Sequence, residues 1–157
     1  MRTILIPTDF TSVPLLLLKH AATNMNHQLD VIFMYSTSLS DSITDLLFYS
    51  PKKLIAKVIS QDFNEGCIIM QNRYPDKIRS IRYEVLTSAH SNSFAMLAQS
   101  NKVDEVLLPV DYNFQLKHLA FDPTRHILHS GVPVSEVDLH LPVRITERDL
   151  IASLMTN

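Results

Sequence analysis

Apolar runs of strand length recur along this chain, and the stretches between them carry apolar residues at helical spacing, an alternation that few architectures accept. Thr3-Ile4-Leu5-Ile6 is β-branched and apolar, stops at Pro7, and leads into Thr8-Asp9-Phe10-Thr11-Ser12, a cluster of helix-capping residue types. A helix should follow. Pro14 suits a first turn, and Leu15, Leu18, Ala22 and Met25 share one face, which predicts a helix to about Asn26. Leu29 to Tyr35 is nearly continuous apolar sequence, the pattern of a central strand covered on both faces.

The rest of the chain repeats this grammar. Ser36 to Ser50 is rich in Ser, Thr and Asp and predicts a long loop with a helical turn or two around Ile43, Leu46, Leu47 and Phe48. Ser50 caps a helix with Pro51 in its first turn; Leu54, Ile55, Val58, Ile59 and Phe63 extend one apolar face towards the Tyr74-Pro75 break, with Gly66 as its weak point. Ile81, Tyr83 and Val85 alternate with Arg82 and Glu84, which marks an outer strand with one wetter face. Phe94, Ala95, Leu97 and Ala98 predict a short helix after Ser91 or Ser93, ahead of a buried strand at Val103 to Leu108. Leu116, Leu119, Ile127 and Leu128 lie on either side of Pro123, predicting one interrupted helix or two short ones, closed by Gly131. Val134 to Leu139 alternates as a fifth strand. Strand and helix in strict turn imply a parallel sheet with right-handed crossovers. Thr146, with Asp149 three residues on, then resembles a capping box for a short amphipathic C-terminal helix carrying Leu150, Ile151, Leu154 and Met155.

Composition bounds the function. A chain of 157 residues without repeats or linkers is read as one domain, with a core over about 1–140 and an extension over about 141–157. A formal charge of −2 with no basic run argues against nucleic acid as a partner. Average usage of about 7% glycine would give about eleven; this chain has only Gly66 and Gly131, so a glycine-rich phosphate loop cannot be built. Cys67, the single cysteine, has no internal disulfide partner and no cationic neighbour, which suits an inert thiol in a reducing compartment. The longest aliphatic run, Leu15 to Leu18, is far short of the roughly 20 residues that span a bilayer, and Asp9 interrupts the stretch a signal peptide would need. The expectation is a soluble cytoplasmic protein.

Ile4-Leu5-Ile6-Pro7-Thr8-Asp9-Phe10-Thr11, Asp30-Val31-Ile32-Phe33-Met34, Val103-Asp104-Glu105-Val106-Leu107-Leu108 and Gly131-Val132-Pro133-Val134, in this order and spacing, resemble the universal stress protein family. The resemblance covers Met1 to about Leu139. It implies an α/β, Rossmann-like fold: an open five-stranded parallel sheet in the order 3-2-1-4-5 with helices on both faces. Nucleotide-binding members carry Gly-x2-Gly-x9-Gly-Ser/Thr after the fourth strand, where backbone N–H groups wrap the phosphates. Here those positions fall on Pro109, on Tyr112 and on or near Asp122. Pro109 has no N–H, Asp111 and Asp122 repel phosphate, and Tyr112 resists the positive φ of a tight loop. The family's adenosine-contacting aspartate is matched by Asp9.

In a sheet of this order the crevice between the first and fourth strands is the default ligand site. Thr8, Asp9 and Phe10, after Pro7, would line one wall, and Pro109, Val110 and Asp111 the other. The competing reading is that Asp9 or Thr11 merely caps the first helix. His126 and His129 stand at helical spacing, yet two histidines fall short of the three or four ligands of a zinc site, so no metal is expected. No serine sits in a nucleophile elbow, and no catalytic constellation is evident. Lys117, Arg125, His126 and His129 could hold an anion by side chains, although a solvated helix face explains them as well.

The resulting expectation is a non-catalytic stress-response or regulatory protein without a cofactor, which does not bind ATP through the usual glycine loop. It would form a homodimer through the fifth strand, with Val134, Val137 and Leu139 at the edge, and engage a protein or small-molecule partner, with no membrane contact. Two alternatives stand beside it: a regulator binding ATP or AMP through Asp9 and the basic side chains, and an enzyme of the nucleotide α-hydrolase-like fold.

Overall fold

A computed structural model describes residues 1–141 and 147–155. In chain order the elements are β1 (Arg2–Pro7), α1 (Val13–Asn24), β2 (Leu29–Ser36), α2 (Ile43–Leu47), α3 (Pro51–Val58), α4 (Gln61–Arg73), β3 (Ile78–Leu86), α5 (Ser93–Ser100), β4 (Glu105–Pro109), α6 (Thr124–Leu128), β5 (Val134–Val137) and α7 (Glu147–Ser153). The five strands form one parallel sheet in the order β3-β2-β1-β4-β5, as expected. Because successive strand residues point to opposite faces, the apolar runs of β1 and β2 supply two cores. Ile4, Ile6, Val31 and Phe33 pack with α1 and α4, whereas Leu5, Ile32, Met34, Val106 and Leu108 pack with Phe94 of α5 and Ile127 of α6.

Three elements differ from the sequence reading. The helix expected from Ser50 to Tyr74 is two helices: the chain turns extended at Ile59 and Ser60, and Ser60 Oγ accepts the Phe63 N–H at 3.1 Å as a second N-cap. That hydroxyl also donates to Phe10 O at 3.1 Å, tying the break to the turn after β1. Gly66 is not a weak point. It lies inside α4 against α1, and a Cβ there would overlap Leu15 Cδ1. Finally, no helix forms between β4 and Pro123. That stretch is an extended loop, and only Thr124–Leu128 is helical, so Lys117 does not share a helix face with Arg125, His126 and His129.

α1 is covered nearly all round. Leu15, Leu17 and Leu18 are fully buried because the sheet lies on one side and α4 on another, while Leu154, just after α7, is also fully buried in the same core. Lys19 Nζ donates to Ser153 O at 2.6 Å, and the Arg73 guanidinium donates to Met155 O, fastening the C-terminal segment over α1 and α4. The Thr146 cap expected for α7 lies outside the described residues.

Candidate functional site

The strand order reverses between β1 and β4, and the loops leaving their carboxyl ends meet there. After Pro7 the chain turns sharply: Thr8 N–H extends the ladder to Met34 O at 2.9 Å, Phe10 N–H folds back on Thr8 Oγ1 at 2.9 Å, and Phe10 itself has φ 60°. An aromatic residue in the left-handed region needs compensation. The Phe10 ring finds it in the core, 5.2 Å from both Tyr35 and Phe63.

This turn delivers Asp9 to the crevice, where the protein itself saturates it. Its Oδ1 accepts from Thr11 Oγ1 at 2.7 Å and Thr11 N at 3.2 Å; its Oδ2 accepts from the Tyr112 hydroxyl and from Gln115 N at 2.9 Å. Asp9 is only 8% exposed. Burial, and next its hydrogen bond to Asp9, hold the Tyr112 phenol far above its ordinary pKa, so it remains a donor to the carboxylate.

Of the six predicted wall residues, Thr8, Asp9 and Phe10 are buried, Pro109 and Val110 are half-buried and Asp111 is exposed. Val110 N–H is used by Val137 O at 2.9 Å. The opposite wall therefore reaches Asp9 through Tyr112 and Gln115. Gln115 contributes a backbone group, which no residue pattern in the sequence announces. The positive φ falls on Asp111, at 52°, rather than on Tyr112.

Nearby helix N-termini already hold carboxylates of this chain. Glu147 of α7 accepts from Ser12 N at the start of α1, and Asp122 accepts from Thr124 N at 2.8 Å and Thr124 Oγ1 at 2.6 Å at the start of α6. The expected capping by Asp9 and Thr11 is present in part: Asp9 closes the turn onto Thr11 N, and Thr11 Oγ1 accepts the Val13 N–H at 3.4 Å. His126 lies edge-on to Phe121 with ring centroids 6.2 Å apart, and among the described residues no three His, Cys, Asp or Glu side chains gather at a metal site.

A second concavity lies beside this crevice and contains none of the six predicted residues. The loop after β4 continues past Gln115 to the end of β2, where Ser38 N donates to Leu119 O at 2.8 Å and Phe121 N to Ser36 O at 3.0 Å. Between this strap, α2 and α3 is a cavity of about 560 Å³, with Tyr35 and Thr37 among its lining. Sequence reasoning considered Lys117 as an anion ligand but associated it with α6. The structure places it at this cavity with Lys53 and Lys57.

No family model matches the sequence, and no curated protein sequence matches it. Solved structures do. Universal stress protein UspA from Lactobacillus plantarum superposes with a TM-score of 0.54 at 14% identity, covering 87% of this chain and 97% of its own. The chain has the universal stress protein fold. Two hypothetical proteins share it: PH0823, with a TM-score of 0.52 at 16% identity, and MJ0577, with a TM-score of 0.51 at 21% identity. Each covers 87% of this chain, and this chain covers 96% and 95% of theirs. Relative to that fold, the described residues add α7, with Glu147 at the start of α1 and Leu154 in the core. No helix among the described residues is long and apolar enough to cross a membrane.

Proposed function

We propose that this chain is a non-catalytic regulatory protein of the stress response, acting in the cytoplasm, which engages a small ligand or protein partner without holding ATP in a glycine loop. We further propose that it works as a homodimer paired along β5. The stress role rests on the shared fold. The observation that carries the rest is the state of the crevice: Asp9 is saturated by Thr11, Tyr112 and Gln115, and carboxylates already accept from Ser12 N just ahead of α1 and from Thr124 N at the start of α6. A phosphate would have to displace negative charge from the groups that would otherwise attract it.

The test is the melting temperature of the full chain with millimolar ATP or AMP. A ligand at a hundred times its dissociation constant stabilises by about 2.7 kcal/mol, an easily read shift. The expected result is no shift and no nucleotide carried through purification, as read by native mass spectrometry. A shift abolished by Asp9→Ala would establish the crevice as a nucleotide site and overturn this reading; turnover of ATP lost in the same variant would establish an enzyme.

A further inference from the structure

The cavity between α2, α3 and the strap after β4 combines an apolar interior with a cationic lip. Tyr35, at the end of β2, is 6% exposed, and Leu54 and Val58 supply an apolar wall from α3. Leu46, Phe48 and Leu119, exposed to 46%, 69% and 40%, leave apolar surface at the opening. Isolated exposed leucines are ordinary, but grouped around a concavity of about 560 Å³ they mark a place where something apolar can settle.

The charges define the other half of the ligand. Lys53 and Lys57 stand one turn apart on α3, and Lys117 lies on the strap. Among the described residues, Asp45 is the one carboxylate that lines the cavity and none of the three lysines forms an ion pair. On a chain whose formal charge is −2, three lysines against one lining carboxylate make a local excess of positive charge. Lysine stems lie along apolar surface while their ammonium groups stay at the rim, so the same side chains can cover a hydrocarbon body and meet an anionic head. A polyphosphate fits less well, because only flexible point charges are offered and no backbone cradle.

We propose that this cavity binds an amphipathic carboxylate of the fatty-acid class, its apolar body against Tyr35, Leu54 and Val58 and its head between Lys53, Lys57 and Lys117. This deepens the reading of a non-catalytic binding protein by naming its ligand, and it rests on that reading. The test is calorimetric titration of the full chain with decanoate, with decanol as the neutral analogue of equal length and with ATP. Decanoate should bind at least about tenfold more tightly than decanol, and Lys53→Met combined with Lys57→Met should remove that preference while decanol binding persists. Raised salt should weaken decanoate alone. Equal binding of the two ligands, no binding of decanoate at 1 mM (a concentration on the order of that used for weak ligands), or an unchanged preference in the double variant would overturn the proposal. The exposed lysines make the variant safe for folding, and an unchanged melting temperature verifies it. Binding of ATP that Asp9→Ala abolishes, with decanoate binding intact, would refute the function proposed above and leave this site standing.

Discussion

Asp9 and Cys67 are two buried polar side chains, and the fold treats them oppositely. Asp9 accepts from four donors, whereas Cys67 has, among the described residues, the Tyr83 hydroxyl 3.6 Å away and is 6% exposed. Burial pushes the Cys67 thiol up to about 11 from its ordinary value of 9.0, opposed weakly by that contact. The same burial, followed by the neighbouring Cys67, raises Tyr83 as well. The sign of the pH effect follows. Below about pH 8 both folded and unfolded thiols are protonated and stability is unaffected. As pH rises through the unfolded value the unfolded chain releases a proton that the folded chain retains, so stability falls by at most about 1.4 kcal/mol per pH unit until the folded value is reached. Urea unfolding from pH 7 to 10.5 (a range of roughly the ordinary thiol and phenol values) should show this decline, and Cys67→Ala should make it shallower. An identical decline in both chains would remove the thiol from the account. The inert thiol was legible in the sequence from the absence of nearby cations; its contact with Tyr83, sixteen positions away, was not.

At the scale of elements, a glycine explains how α1 and α4 pack. Alanine is the better helix former by about 1 kcal/mol, so Gly66→Ala would stabilise an isolated helix. In this fold the added Cβ meets Leu15, which is fully buried, and Leu154, also fully buried, lies 3.4 Å from the same Cβ position. Overpacking costs typically about 1–3 kcal/mol, and it should win. Gly66→Ala is therefore expected to lower the urea midpoint, and Gly66→Ala combined with Leu15→Ala to lose less than the sum of the two single changes, because the second change makes room for the first. Strict additivity would mean that the helices do not touch at this point. The same contact shows why the helix reading failed in places. An apolar face running through Leu54, Ile55, Val58 and Phe63 looks continuous to a periodicity argument, yet Ser60 breaks it, capping Phe63 N–H locally and donating over a long range to Phe10 O. Likewise, Leu116 and Leu119 carry helical spacing, yet the strap containing them is spent on Asp9 and on Ser36 and Ser38 at the ends of β1 and β2. Local pattern cannot see those partners.

At the scale of the whole molecule, the parallel sheet and its edges were legible because each strand announces its environment, β1 and β2 as doubly buried runs and β3 and the fifth strand as alternating edges, while the order 3-2-1-4-5 came from the family resemblance. What the alternation misjudged at β5 is where its valines go. Val137 is only 6% exposed and packs in the core with α1, and Val134 and Leu139 also pack inward, so these side chains do not form an exposed apolar seam. What the edge offers is backbone. Val106 N donates to Pro133 O and Val110 N to Val137 O, both at 2.9 Å, so the odd-numbered groups of β5 face β4. By the alternation of a parallel ladder, the N–H and C=O of Val134 and Glu136 face outward. Pairing of two copies along β5 would then depend on those few bonds. Proline is tolerated on a free edge but cannot donate, so Glu136→Pro should leave β4–β5 pairing and the fold intact while removing an outward donor from each copy. Light scattering during gel filtration should give twice 17.9 kDa for the natural chain and 17.9 kDa for the variant, with unchanged circular dichroism. A natural chain that elutes as a monomer at micromolar concentration would exclude the β5 dimer, and a dimer that survives Glu136→Pro would move the interface elsewhere on the molecule.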